Sequence, residues 1–228
     1  MQPARIAAAL GPFTTKLSPH QLQQISTYLD LLLKWNARIN LTSVRDPQEI
    51  LTRHFGESFF VAESLFSDSP ITRLPDHPIA SPHYPILFDL GSGAGFPGLP
   101  LAIYAPQAKI TLLESQNKKA TFLKEVARAL TLTNVNVFCG RAEAYPAEAR
   151  KGSWPAAADV VTVRAVEKFA QSLPLAASLL SPGGRLALLI GASQLAAARQ
   201  ALPEFSWRPP LSLPLSRSRI LLIGSKTN

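Results

Sequence analysis

The sequence predicts an α/β fold with a mostly parallel, doubly wound sheet, a helical extension at its N-terminal end and an antiparallel hairpin at its C-terminal end. Three observations carry that expectation. From Ile86 onward, short apolar runs alternate with segments of helical period. A glycine-rich turn follows the first of those runs, and the last two strand-like runs stand too close together for a helical crossover. The chain has 228 residues, 46% hydrophobic and 17% charged, a balance that excludes a disordered chain and supplies a substantial core. The longest nearly apolar stretch, over 186–198, is broken by Ser193 and Gln194. It falls short of the roughly 18–20 apolar residues that a spanning helix needs, so no membrane association is expected. The apolar run over 6–10 is smaller than a secretory h-region, and the lone Cys139 suits a reducing, cytoplasmic setting.

Each element has a local reason. Ser18 is an N-cap with Pro19 at the first helical position, and Leu22, Ile25, Leu29, Leu32 and Trp35 recur at spacings of three and four. That pattern predicts a helix over 18–38. A second helix is expected from Asp46 and Pro47 onward, through His54, Phe59, Phe60 and Ala62. Residues 1–66 therefore read as a helical extension. Residues 67–85 contain Pro70, Pro75, Pro78, Pro82 and Pro85, which exclude a helix interior or a central strand and leave a linker. The cofactor-binding domain is expected over 86–228. Its strands are expected at 86–90, 109–114, 136–139, 159–163 and 185–190, with helices at 99–104, 117–130, 168–180 and 194–202. The turn Ser181-Pro182-Gly183-Gly184 separates the third of these helices from the fifth strand. The runs over 211–215 and 220–223 are expected to form a hairpin or lie antiparallel at the sheet edge.

Charge narrows the partner class. Lysine and arginine number 23 against 15 acids, a net charge of +8. Residues 1–66 carry six bases and five acids, 67–140 six and five, and 141–228 eleven and five, so six of the eight surplus charges sit in the last third. A basic chain of this kind commonly meets a polyanion, whereas a plainly solvated surface is the competing reading.

The most informative segment is Asp89-Leu90-Gly91-Ser92-Gly93-Ala94-Gly95-Phe96-Pro97-Gly98. Gly91, Gly93 and Gly95 allow a sharp turn at the end of the first strand and a close approach of backbone to ligand. Gly93, Gly95 and Gly98 also satisfy the dinucleotide fingerprint, so a nicotinamide cofactor competes with S-adenosyl-L-methionine. Glu114, at the end of the second strand, stands where either cofactor's ribose hydroxyls would be held. Three features favour S-adenosylmethionine. Asp89 precedes the first glycine by two, the class I methyltransferase pattern, and would receive the cofactor's ammonium group or organise the loop around it. Ala142 and Glu143 follow the third strand, where such enzymes contact adenine. The Pro-Gly-Gly turn before strand five and the terminal hairpin complete the pattern.

Trp35-Asn36-Ala37-Arg38-Ile39-Asn40-Leu41-Thr42, Arg53-His54, Gly91 to Pro97, Gly140-Arg141-Ala142-Glu143 and Arg164-Ala165 together resemble the RsmG (GidB) family. Those motifs stand in the family's order. The resemblance implies a class I, Rossmann-like methyltransferase that modifies N7 of a guanosine in bacterial 16S rRNA. It implies cofactor contacts at Gly91, Phe96, Ala142, Glu143 and Arg164, with 16S rRNA or the small ribosomal subunit as partner and no obligatory protein partner. The sequence departs from the family where Glu57 replaces an aspartate in His-x-x-Asp-Ser, where Ile190 replaces a lysine, and in the length of the proline-rich segment.

Guanine N7 needs no deprotonation before it attacks a methyl group, and the sequence agrees by omission. After strand four it carries Val163-Arg164-Ala165-Val166 instead of the Asn/Asp-Pro-Pro-aromatic loop of amino-group methyltransferases. Cys139 ends strand three, away from the position of a C5-methyltransferase nucleophile, and reads as a small buried side chain. Arg164 stands at a strand end where open α/β sheets place ligands, and either positions cofactor and guanine or forms a structural ion pair. Asn40, Arg53, His54, Arg141, Arg217 and Arg219 are the RNA-binding candidates. Asn40 either recognises guanine or caps a turn, and the hairpin arginines are expected to lie away from the glycine loop.

Overall fold

A computed structural model describes residues 1–66, 84–166 and 169–226. The expected linker lies almost entirely outside the described residues, as does Lys168, the expected start of one helix. Five runs form parallel neighbours: β1 (Ile86–Leu90), β2 (Lys109–Glu114), β3 (Val135–Cys139), β4 (Ala158–Arg164) and β5 (Leu180–Gly191). With β6 (Phe205–Trp207), β7 (Leu211–Ser212) and β8 (Arg219–Lys226), the described strands make one sheet in the order 3-2-1-4-5-8-6, with β7 also on β8. β8 runs antiparallel to β5, and β6 and β7 run antiparallel to β8, which places the expected hairpin at the sheet edge.

Burial on both faces explains the continuous apolar strands, and the period of two sorts their side chains. Leu87, Ile110, Leu112, Val160 and Leu189 enter one cluster, while Phe88, Leu113, Val161, Val163 and Leu188 enter the other. The first cluster is shared with the N-terminal helices α1 (Pro3–Leu10), α2 (Pro19–Asn36), α3 (Pro47–Ile50) and α4 (Glu57–Phe66), and with α5 (Gly98–Tyr104) and α6 (Asn117–Ala129). The second lies against α7 (Tyr145–Glu148), α8 (Phe169–Ser178) and α9 (Leu195–Ala201).

Ser18 caps α2 as its sequence predicts. Its hydroxyl accepts from Gln21 N at 3.3 Å while Gln21 Oε1 accepts from Ser18 N at 2.8 Å. The same Gln21 donates to Ile103 O at 2.7 Å, which ties α2 to α5. Asp46 caps α3 by accepting from Glu49 N at 2.7 Å. Between α3 and α4 the chain widens into a π-helical turn, Leu51–Gly56, a form often found at functional sites.

Four details differ from the sequence expectation. The run over 6–10 lies inside α1, with Ile6 and Leu10 fully buried. β5 begins at Leu180, because the Pro-Gly-Gly segment is absorbed as an irregularity beside β4, with Gly183 at φ 74°. The three-residue β6 is too short to show a period. Cys139 is exposed, its thiol 2.9 Å from Asn117 Oδ1, because β3 is the edge strand of the sheet.

Candidate active site

The sheet order reverses between β1 and β4, so the loops leaving their carboxyl ends open a crevice between them. The glycine loop occupies that position. Gly91 N and Ser92 N both donate to Leu113 O, at 2.9 and 3.1 Å, which binds the loop to β2. Glu114, 5% exposed, accepts from Gly93 N through Oε2 and from Gln116 N through Oε1, each at 2.8 Å. Every carboxylate oxygen has a further lone pair, so these two bonds leave Glu114 able to accept ribose hydroxyls.

Asp89 organises the loop from behind. Its Oδ1 accepts from Thr162 Oγ1 at 2.7 Å and its Oδ2 from Gly98 N at 3.2 Å, so one carboxyl joins β4 to the start of α5. Burial raises its pKa to about 6, against the opposing effect of these hydrogen bonds.

Two glycines in the loop have different reasons. At Gly93, φ is 57°, and an added Cβ would come no nearer than 3.8 Å to Gly91 O. That open space is what a ligand lying against the backbone requires. At Gly95, φ is 91°, but an added Cβ would meet the Tyr28 hydroxyl and Leu99 at 2.5 Å. Gly95, expected at the cofactor, instead allows close packing on α2.

A cleft of about 290 Å³ runs beside the loop, lined among others by Gly91, Ser115, Arg141, Ala142, Glu143 and Val166. Gly91, Ala142 and Glu143, expected at the cofactor, all line this cleft. Arg141, expected on the RNA side, lines this cleft because it leads into the 3-10 turn that leaves β3. Ser115 and Val166 were not anticipated, and their positions just beyond β2 and β4 were the available signal.

A buried cluster surrounds Arg164, which does not line this cleft. Its Nη2 is 2.6 Å from Arg53 O, 3.1 Å from His54 Nδ1 and 3.1 Å from Glu57 Oε2. Arg219 Nη2 meets the same Glu57 oxygen at 2.9 Å. Arginine only donates, so His54 Nδ1 is the acceptor, and its Nε2–H faces Thr42 Oγ1 at 2.7 Å. Burial, then the charges of Arg164, Arg219 and Arg53, hold the His54 pKa down to about 3, so the ring is neutral. Burial also lowers Arg164 to about 10, with Glu57 opposing, which leaves it charged at neutral pH. Phe96 packs between this cluster and α2, its ring 5.0 Å from His54 and 5.2 Å from Tyr28, with the Arg164 guanidinium 6.0 Å away. It is 6% exposed and supports the loop from beneath.

Arg219 therefore joins the Arg164 cluster, which packs against Phe96 of the glycine loop, instead of standing apart with the hairpin. The register pairs Arg164 with Leu189 and Gly191 with Arg219, which brings both arginines to the same end of the sheet. Arg217 and Arg53 are exposed, and Arg53 pairs with Glu49 at 2.6 Å. Asn40 is exposed too, 3.4 Å from Arg45 Nη2. The turn after α2 is organised by Asn36, whose Oδ1 accepts from Leu41 N and Thr42 N. Ile190 is buried in the second apolar cluster beside Ile220, so the family lysine has no counterpart there. Ala165 follows Arg164 with φ 49°, a left-handed turn that costs about 1–2 kcal/mol outside glycine and swings the chain toward the cleft.

Comparison with known proteins bears on the fold and the family. The fold is similar to that of the ribosomal protein L11 methylase from Lactobacillus delbrueckii subsp. bulgaricus, at a TM-score of 0.53 and 16% identity over 76% of this chain and 80% of that one. Two curated relatives are both named ribosomal RNA small subunit methyltransferase G. The one from Xanthomonas campestris pv. campestris (strain B100) is 38% identical over 83% of this chain and 79% of its own length. The one from Staphylococcus saprophyticus subsp. saprophyticus is 35% identical over 83% and 72%. Residues 21–208 match the GidB family, described as rRNA small subunit methyltransferase G, and the chain belongs to that family.

Proposed function

We propose that the protein transfers a methyl group from S-adenosylmethionine to N7 of a guanosine in 16S rRNA of the small ribosomal subunit, acting in the cytoplasm. The observation that carries this reading is the open backbone at Gly93 beside Glu114, at the sheet's switch point, in a chain of this family. S-adenosylmethionine, when bound, supplies an electrophilic sulfonium methyl group. Guanine N7 carries an in-plane lone pair, so no general base is required and placement is the protein's main task. Glu114 would hold the ribose hydroxyls, Ala142 and Glu143 the adenine, and Gly91 and Gly93 the methionine portion. Arg164 acts as a positioning residue: it fixes Glu57, His54 and the loop's Phe96 in one arrangement at the end of β4. The neutral His54 is an acceptor within that arrangement and not a cation for phosphate.

Mapping methylated nucleotides in 16S rRNA from cells with and without this gene tests the proposal. One N7-methylguanosine should disappear with the gene, return on complementation, and form in vitro on small subunits or rRNA with purified protein. Methylation at another atom or on another RNA would overturn it.

A further inference from the structure

A second pocket, of about 260 Å³, lies between the π-helical turn and the loop joining β7 to β8. Glu57, Arg219, Arg53 and Arg217 line it, with Phe13 and the 73% exposed Leu215 as apolar wall. Glu57 is 2% exposed, and both of its arginine partners use the same oxygen, Oε2. Its other oxygen, Oε1, takes no hydrogen bond from any described residue. A carboxylate oriented by two cations thus offers one acceptor oxygen to whatever enters the pocket. Through Arg164 the same carboxylate touches the end of β4, two residues before Val166 of the cofactor cleft.

We propose that this pocket receives the target guanine of the RNA, with Glu57 Oε1 accepting from N1–H and the N2 amino group and Arg53 and Arg217 meeting the flanking phosphates. The proposal rests on the methyltransferase reading above and adds the residue that selects the base. Guanine presents two adjacent donors on that edge, and its N7 lies on the opposite side of the ring. Holding the donor edge at Glu57 therefore leaves N7 free for methylation. Adenine presents an acceptor at N1, which a carboxylate repels. Arg164 and Arg219 fix the charged carboxylate in place and shield it before the base arrives.

The test compares single-turnover methylation of rRNA assembled with guanosine or inosine at the target position. Inosine retains N7 and lacks the N2 amino group. The wild-type protein should prefer guanosine by roughly 10-fold or more, the loss expected for one hydrogen bond to a buried charge. In Glu57→Gln the two arginines should hold the amide oxygen at the Oε2 position, which puts an NH₂ donor where Oε1 stood. The guanosine-to-inosine ratio should then collapse toward one, a readout that a loss of stability alone does not move. Ser218→Trp, at the pocket wall, should cut kcat/KM for guanosine RNA by roughly 10-fold or more while S-adenosylhomocysteine affinity stays within about two-fold. An unchanged ratio in Glu57→Gln, or full activity in Ser218→Trp, overturns the pocket assignment while leaving guanine-N7 methylation standing. Absence of N7 methylation by the wild-type protein overturns the underlying reading itself.

Discussion

The Tyr28 hydroxyl of α2 donates to the Ala94 carbonyl of the glycine loop at 2.5 Å, so the N-terminal helices hold that loop from behind. Tyr28 is fully buried, and its ring stacks on Phe96, with the planes 8° apart. The contact joins two segments 66 residues apart and explains why Gly95 must lack a side chain. The N-terminal helices thus support the glycine loop as well as covering one face of the sheet.

Tyr28→Phe isolates that support, because it keeps the ring and removes one donor. The Ala94 carbonyl would be left buried and unpaired, which costs about 1–3 kcal/mol. Urea unfolding should show a loss of that order, and calorimetry should show weaker S-adenosylhomocysteine binding. Lost stability with unchanged affinity would confine Tyr28 to the fold.

Glu114→Ala removes the acceptor shared by Gly93 N and Gln116 N together with the expected ribose partner. Hydrogen bonds to a charged group contribute about 1.5–3 kcal/mol, so S-adenosylhomocysteine affinity should fall roughly 10- to 150-fold in the folded variant. Unchanged affinity would remove the ribose assignment.

Arg217 and Arg219 should separate sharply although they are two residues apart. Arg217→Ala loses an exposed cation at the mouth of the second pocket, so the salt slope of log K for RNA should fall by roughly 0.7–0.9 with little change in stability. Arg219→Ala takes a partner from the buried Glu57. It should lower the unfolding midpoint. Equal behaviour of the two variants in both measurements would contradict the geometry.

The α/β alternation and most strand positions were legible because buried parallel strands leave continuous apolar runs, and because Ser18-Pro19 and Asp46-Pro47 announce helix starts locally. The sharp loop after β1 was legible because its positive φ angles at Gly91, Gly93 and Gly95 favour glycine. What failed depends on register or on packing between distant segments. Arg219 joins Arg164 only through the pairing of β5 with β8. Gly95 gains its reason from Tyr28, and Glu57 stands out in sequence only as a departure from a family motif, with no sign of its two arginine partners. No local pattern encodes those encounters. Cys139 misled because its apolar neighbours in β3 suggest burial, whereas edge position decides exposure.

The opposite pKa shifts of His54 and Asp89 predict two opposing contributions to stability below neutral pH. His54 titrates near 3 in the fold against an ordinary 6.5, so the folded protein binds fewer protons than the unfolded chain between those values. Its contribution is therefore present above pH 6.5 and is lost as pH falls toward 3. Asp89 titrates near 6 in the fold against an ordinary 3.8, so there the folded protein binds more protons than the unfolded chain. Its burial cost is absent below about pH 4, grows as pH rises to 6, and is complete above that. The two slopes oppose each other between pH 4 and 6, and single variants should expose each one. Asp89→Asn can keep the acceptor for Gly98 N and turn its amide toward Thr162 Oγ1, because that hydroxyl has a second acceptor in Phe88 O at 3.3 Å. Unfolding midpoints measured from pH 4 to 8 should show a steeper loss on acidification in Asp89→Asn than in the wild-type protein. His54→Gln should show a shallower loss. Parallel curves for all three proteins would mean that neither group is held in the shifted state that its burial implies.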